Sequence, residues 1–138
     1  MNAVSGMPTR YLYDSADSLL RFAVRADATI TGVCGLAVAL VGDSLASLTG
    51  LSPAVEYGLA GFFLVYGLVV YGFGAVPDLR RVGIVVVAAN IAFTLAAVVV
   101  AEAAQLTASG VAASLVSALY TAVFATLQYL GLRRLETA

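Results

Sequence analysis

The chain has 138 residues, of which 62% are hydrophobic and only 11% charged. Soluble domains carry about 25% charged residues, and a domain this small has proportionally more surface to keep wet. Water is therefore excluded as the solvent for most of the molecule. There is no histidine and no lysine, and Cys34 is the single cysteine. An intrachain disulfide and a lysine Schiff base are excluded, and the commonest acid–base group and metal ligand is missing. Cys34 reads as a small apolar side chain packed between helices.

Residues 1–18, MNAVSGMPTRYLYDSADS, form a polar, mixed segment expected at the cytoplasmic interface. The segment is too long and too weakly basic for an ordinary cleavable signal. Within SLLRFAVRADA, Leu19, Phe22, Ala23 and Ala26 are placed along one helical side, with Arg21 and Arg25 on another. This predicts a helix riding the membrane interface and continuing into a first span over 26–44. A break follows in ASLTGLSPAVEYG. Gly50 can stop a helix, and Ser52 with Pro53 can start the next, proline taking the first helical position. The second span is predicted over 54–76, with Pro77 ending it and PDLRR as the turn. A third follows over 82–104, then the linker QLTASG and a fourth over 111–132. Residues 133–138 form a cytoplasmic tail.

Each span has about 20 residues, which matches roughly 30 Å of hydrocarbon at about 1.5 Å per residue. A soluble helix needs a polar stripe, yet between Arg81 and Glu102 only Asn90 and Thr94 carry polar side chains. The polar/apolar alternation of barrel strands is absent too. The fold class is therefore all-α, a transmembrane antiparallel four-helix bundle in up-down-up-down order. Short connections predict that sequential helices are neighbours. The basic residues, Arg10, Arg21, Arg25, Arg80, Arg81, Arg133 and Arg134, all fall on one side of this topology, and Asp43, Glu56 and Glu102 on the other. The positive-inside rule places both termini in the cytoplasm, as expected of a multi-pass protein of a bacterial cytoplasmic membrane.

The polar residues inside the spans are the candidates for function. Asp27 follows Arg25 by two residues, near the arginine-bearing rim, where a tie to snorkelling arginines would lower its cost. Thr31 lies a turn deeper, and Cys34, Gly35, Val38 and Gly42 continue a face of small residues. Asn90 and Thr94 are four apart on the third helix. Ser114, Ser117, Thr121 and Gln128 form a polar line on the fourth. Buried amides need partners, so Asn90 and Gln128 are expected to point inward and to satisfy one another and Asp27. Asp27, Thr31, Asn90, Thr94, Gln128 and Tyr71 thus make the candidate intramembrane site. It either ties the helices together or lines a small cavity open to the cytoplasm or inner leaflet. Such a cavity, polar at its base and apolar above, suits a lipid or a quinone. Tyr11, Tyr13, Tyr57 and Tyr129 fit interfacial belts, whereas Tyr66 and Tyr120 lie deeper and need a partner. On the outer side Glu56 opens its helix, where the dipole favours a negative charge. Glu102 sits near a helix end, where the dipole is unfavourable.

DATITGVCGLAVALVGD, AANIAF in the third span and LQYLGLRR at the end resemble small four-span integral membrane proteins of actinobacterial type, a group that brings no activity with it. Length and span number are also similar to the small multidrug-resistance transporters. Those rely on a glutamate within the first span, where this chain has the shallower Asp27, and no residue role is carried over. Nucleotide loops, metal clusters and Ser/His/Asp sets are missing from the sequence. The expected role is non-enzymatic: a structural or accessory membrane protein that binds lipid, itself or a larger membrane complex, without nucleic acid or a cofactor. The alternative is a dimeric small-molecule, lipid or quinone carrier or transporter. A lipid- or quinone-modifying enzyme is a third possibility.

Overall fold

The computed structural model describes the backbone of residues 2–137 and side chains over 16–137. The side chains of Arg10, Tyr11 and Tyr13 lie outside the described residues. Four helices follow in order: α1 Asn2–Thr49, α2 Pro53–Phe73, α3 Leu79–Ala103 and α4 Ala108–Thr137. All four contain a stretch long and apolar enough to cross a membrane, the α1 stretch being Ala16–Thr49. There is no strand among the described residues.

The helix ends follow from local chemistry. Gly50 takes φ +84°, a left-handed conformation open to glycine, and its N–H returns to Ala46 O, which stops α1 at Thr49. Ser52 Oγ then accepts from Val55 N, and Pro53 opens α2. Gly74 closes α2 by donating to Val70 O, three residues before Pro77. Asp78 caps α3, and Thr107 Oγ1 accepts from Gly110 N at the start of α4. Helix α1 runs unbroken across residue 26. Its described departure from helical dihedrals is at Val41, near the opposite end.

Helix α1 packs on α2 and α4, and α4 packs on α3, whereas α2 and α3 scarcely touch. This corrects the expectation that all sequential helices are neighbours. The order around the bundle is α2, α1, α4, α3, with a gap between the last and the first. Glycine contacts draw α1 onto α2 and α4, two of them at the arginine-bearing half. A Cβ on Gly67 would come within 2.7 Å of Ala28 O and Gly32 Cα, and one on Gly131 within 2.7 Å of the Leu20 backbone. In lipid, apolar surface gains little by hiding from solvent, and close van der Waals approach between helices contributes instead.

The inward face of α1 is set by Leu20, Ala23, Val24, Asp27 and Ala28, all buried. Of the apolar side Leu19, Phe22, Ala23 and Ala26, only Ala23 is buried in the bundle, and Phe22 is 66% exposed. Leu20, Val24, Ala28, Val70, Leu79, Val86 and Leu132 form one cluster filling the arginine-bearing end of the bundle. At the other end the α3–α4 connection is sewn to α1. Thr107 N donates to Thr49 O and Thr107 Oγ1 to Leu48 O.

The glycine contacts give a signed prediction. Gly67→Ala should lower stability by about 1–3 kcal/mol, the usual cost of forcing extra carbon into a packed site. Gly61→Ala, whose Cβ would meet nothing within 4 Å, should be neutral or stabilising. Unfolding of both variants in mixed detergent micelles checks the difference.

Candidate functional site

Asp27 is fully buried, with 0% exposure, and its carboxylate gathers donors from all four helices. On Oδ1 it accepts from Thr31 Oγ1 at 3.2 Å and Tyr120 Oη at 3.0 Å. On Oδ2 it accepts from Tyr66 Oη at 2.8 Å, Asn90 Nδ2 at 2.9 Å and Gln128 Nε2 at 3.0 Å. Five donors thus meet an acceptor group with about four lone-pair sites. Asn90 Nδ2 also donates to Gln128 Oε1 at 2.9 Å, closing a three-residue ring with the carboxylate. One turn further along α3, Thr94 Oγ1 lies 2.6 Å from Thr121 Oγ1, and it also donates to Asn90 O. Ser114 continues the α3–α4 seam by donating to Ala97 O at 2.6 Å.

Asp27, Thr31, Asn90, Thr94 and Gln128 are therefore brought together as predicted, and Tyr71 is not. Tyr71 is 50% exposed and lies under Arg25, whose guanidinium carbon is 5.4 Å from the ring centroid. The expected tie between Asp27 and arginine is also corrected, since no ion pair involves Asp27 among the described residues. Arg21 turns away to Asp17 and to the carbonyls of Gly74 and Val76. Tyr66 and Tyr120 are the site members that the sequence flagged only as needing a partner. The signal was their depth, and the partner is the carboxylate. Glu56 is buried at the opposite end and accepts from Thr49 Oγ1 at 2.6 Å, while Glu102 is exposed. Among the described residues no three acidic or cysteine side chains group closely enough to hold a metal ion.

Beside this network lies a cavity of about 260 Å³, lined from all four helices. Thr31, Tyr66, Asn90, Tyr120 and Thr121 make its polar floor, and Phe62, Phe63, Phe93 and Val116 its apolar wall. Cys34 also lines it and is exposed, so it is not packed between helices as expected. Across the gap between α2 and α3, Phe93 meets Phe62 and Phe63 at centroid distances of 6.4 and 5.7 Å. The cavity lies on the far side of Asp27 from the arginines. Of the two expected openings, cytoplasm or inner leaflet, the direct route to the arginine-bearing end is filled by the Leu20, Val24, Leu79 and Leu132 cluster. Asp27 itself does not line the cavity but fixes four side chains that do.

No protein-family model, curated protein or solved structure matches the chain.

Two outcomes follow. Asp27→Leu removes the shared acceptor and orphans several buried donors, each costing about 1–3 kcal/mol. It should destabilise more than Asp27→Asn, and both more than Tyr120→Phe, in detergent unfolding titrations. Cys34, native and single, should react in sealed vesicles with a lipid-soluble maleimide and stay slow toward charged thiol reagents added at either face. Fast modification by a charged reagent from the arginine-bearing side would show a water path through the leucine cluster.

Proposed function

We propose that the protein is a non-catalytic integral membrane protein, its arginine-bearing end cytoplasmic, whose bundle holds the polar end of one small amphiphile. The observation that carries this reading is the direction of the floor's hydrogen bonds. Thr31, Tyr66, Asn90 and Tyr120 line the cavity and spend protons on Asp27. Each hydroxyl has one proton to give, so the tyrosine and threonine oxygens are left as acceptors toward the cavity. A ligand that donates hydrogen bonds fits this floor, such as a hydroxyl- or amine-bearing lipid or a quinol. A bare carbonyl such as that of a quinone fits less well.

Size supports an amphiphile over a whole enclosed molecule. Cavities that enclose drug-sized ligands span about 300–1,000 Å³, and this one is about 260 Å³. A ring or headgroup fills it, and the tail leaves between α2 and α3, past Phe62 and Phe93. The wall of aromatic rings suits a flat or cationic group. Carriage across the membrane is the less supported role, because it needs a second opening where the leucine cluster stands.

The chain has no tryptophan, so Phe93→Trp places a single reporter in the cavity wall. A tail-brominated long-chain alcohol or amine should quench it saturably in nanodiscs, at least about tenfold more tightly than the ketone of the same chain. Equal, non-saturating quenching by all three would reduce the effect to bilayer partitioning and reject the reading.

A further inference from the structure

The second concavity lies on the outside of α1, at the arginine-bearing end of the bundle. It has a volume of about 720 Å³ and is bordered by Ser18, Arg21, Phe22, Arg25, Ile30 and Tyr71, with Asp17 at its edge. Its two arginines, one helical turn apart, are used in opposite ways. Arg21 is consumed internally: Nη1 donates to Gly74 O at 2.7 Å and Val76 O at 3.3 Å, and Nη2 pairs with Asp17 at 2.9 Å. That pair also neutralises the one carboxylate in the concavity. Arg25 has no such acceptor. Its stem packs so closely on Gly74 that a Cβ there would lie 2.9 Å from Arg25 Cγ, and its guanidinium sits over the Tyr71 ring. Its Nε–H is withdrawn from solvent with no hydrogen-bond partner, the single buried side-chain nitrogen or oxygen so left among the described residues.

We propose that Arg25 is the recognition residue of a site for the phosphate of an anionic membrane lipid. The Nε–H is closed off from an incoming ligand, but the Nη groups make no hydrogen bond among the described residues, and a phosphate is the acceptor such a fork fits best, through two parallel bonds. The Tyr71 ring orients the guanidinium without consuming any of its donors. Phe22, 66% exposed, and Ile30, 44% exposed, flank the same concavity and supply apolar contact for an acyl chain. The arginine-bearing end of a transmembrane bundle is also the level at which headgroups lie. The site is separate from the internal cavity, so either can fail without the other.

The test is lipid retention in nanodiscs made with equal phosphatidylglycerol and phosphatidylcholine, followed by native mass spectrometry of the released protein. The unaltered protein should keep phosphatidylglycerol preferentially. Arg25→Gln should weaken that retention at least about fivefold, the factor expected for one interfacial arginine. Arg80→Gln, at an exposed arginine paired with Glu136 at 3.5 Å, should leave it unchanged. Arg25→Lys keeps the charge but not the fork and should fall between, which separates recognition from misfolding. Equal loss in the Arg25 and Arg80 variants, or equal retention of phosphatidylcholine, would overturn the proposal. Inorganic phosphate at millimolar concentration should not displace the lipid, and displacement would reassign the site to soluble phosphate.

Discussion

One carboxylate with five neutral donors organises this bundle. A charged side chain within a membrane is expensive unless its surroundings replace water, and here four helices each send something to do so. Thr31 comes from α1 itself, Tyr66 from α2, Asn90 from α3, and Tyr120 with Gln128 from α4. Individual hydrogen bonds between membrane helices are weak, averaging about 0.6 kcal/mol. Their shared acceptor changes the consequence. Withdrawing any one helix strands both its own donor and part of the carboxylate, so the contacts cannot be lost singly without penalty. This matters most for α2 and α3, which scarcely touch each other apart from the Phe62, Phe63 and Phe93 rings and an Asn90–Tyr66 contact, and are linked chiefly through Asp27.

The same arrangement creates the cavity. Glycine-backbone contacts draw α1 onto α2 and α4, at Gly67 and Gly131 among others, and α3 packs on α4. Nothing of that kind pulls α2 onto α3. The space between them on one side of Asp27 is filled by leucine and valine, and on the other side it is bridged only by phenylalanine rings. A polar floor with an aromatic wall is what remains where a tyrosine hydroxyl must reach inward to a carboxylate while its neighbours stay apart.

The spans were legible because length and hydropathy respond directly to bilayer thickness, and Ser52, Pro53 and Gly50 act through local backbone chemistry that needs no tertiary context. The meeting of Asn90 and Gln128 with Asp27 was legible for a related reason, since an amide in lipid must find partners. Which apolar residues face inward was not. In water, hydrophobicity marks the buried face, whereas in lipid both faces are apolar, so Leu20 and Phe22 carry no distinguishing signal although one is buried and the other exposed. The order of helices around the bundle fails for the same reason, because it depends on glycine contacts that have no sequence period. From sequence, Asp27 is expected to be tied to arginines snorkelling from neighbouring termini, and Arg25 itself lies two residues away on the same helix, which points the two to different sides. The pairing therefore went to Tyr71 for the one and to the bundle interior for the other.

That divergence separates two chemistries along barely one turn of α1. Asp27 faces inward and draws protons toward itself, leaving acceptor oxygens around the cavity. Arg25 faces outward and offers donors at the interface. An ion pair between them would have satisfied both and left neither surface with a preference. Held apart by helix geometry, they leave opposite polarities, acceptor oxygens toward the interior cavity and guanidinium donors toward the exterior. A single amphiphile is therefore a poor match for both places, so the two proposed sites call for different molecules of the surrounding membrane.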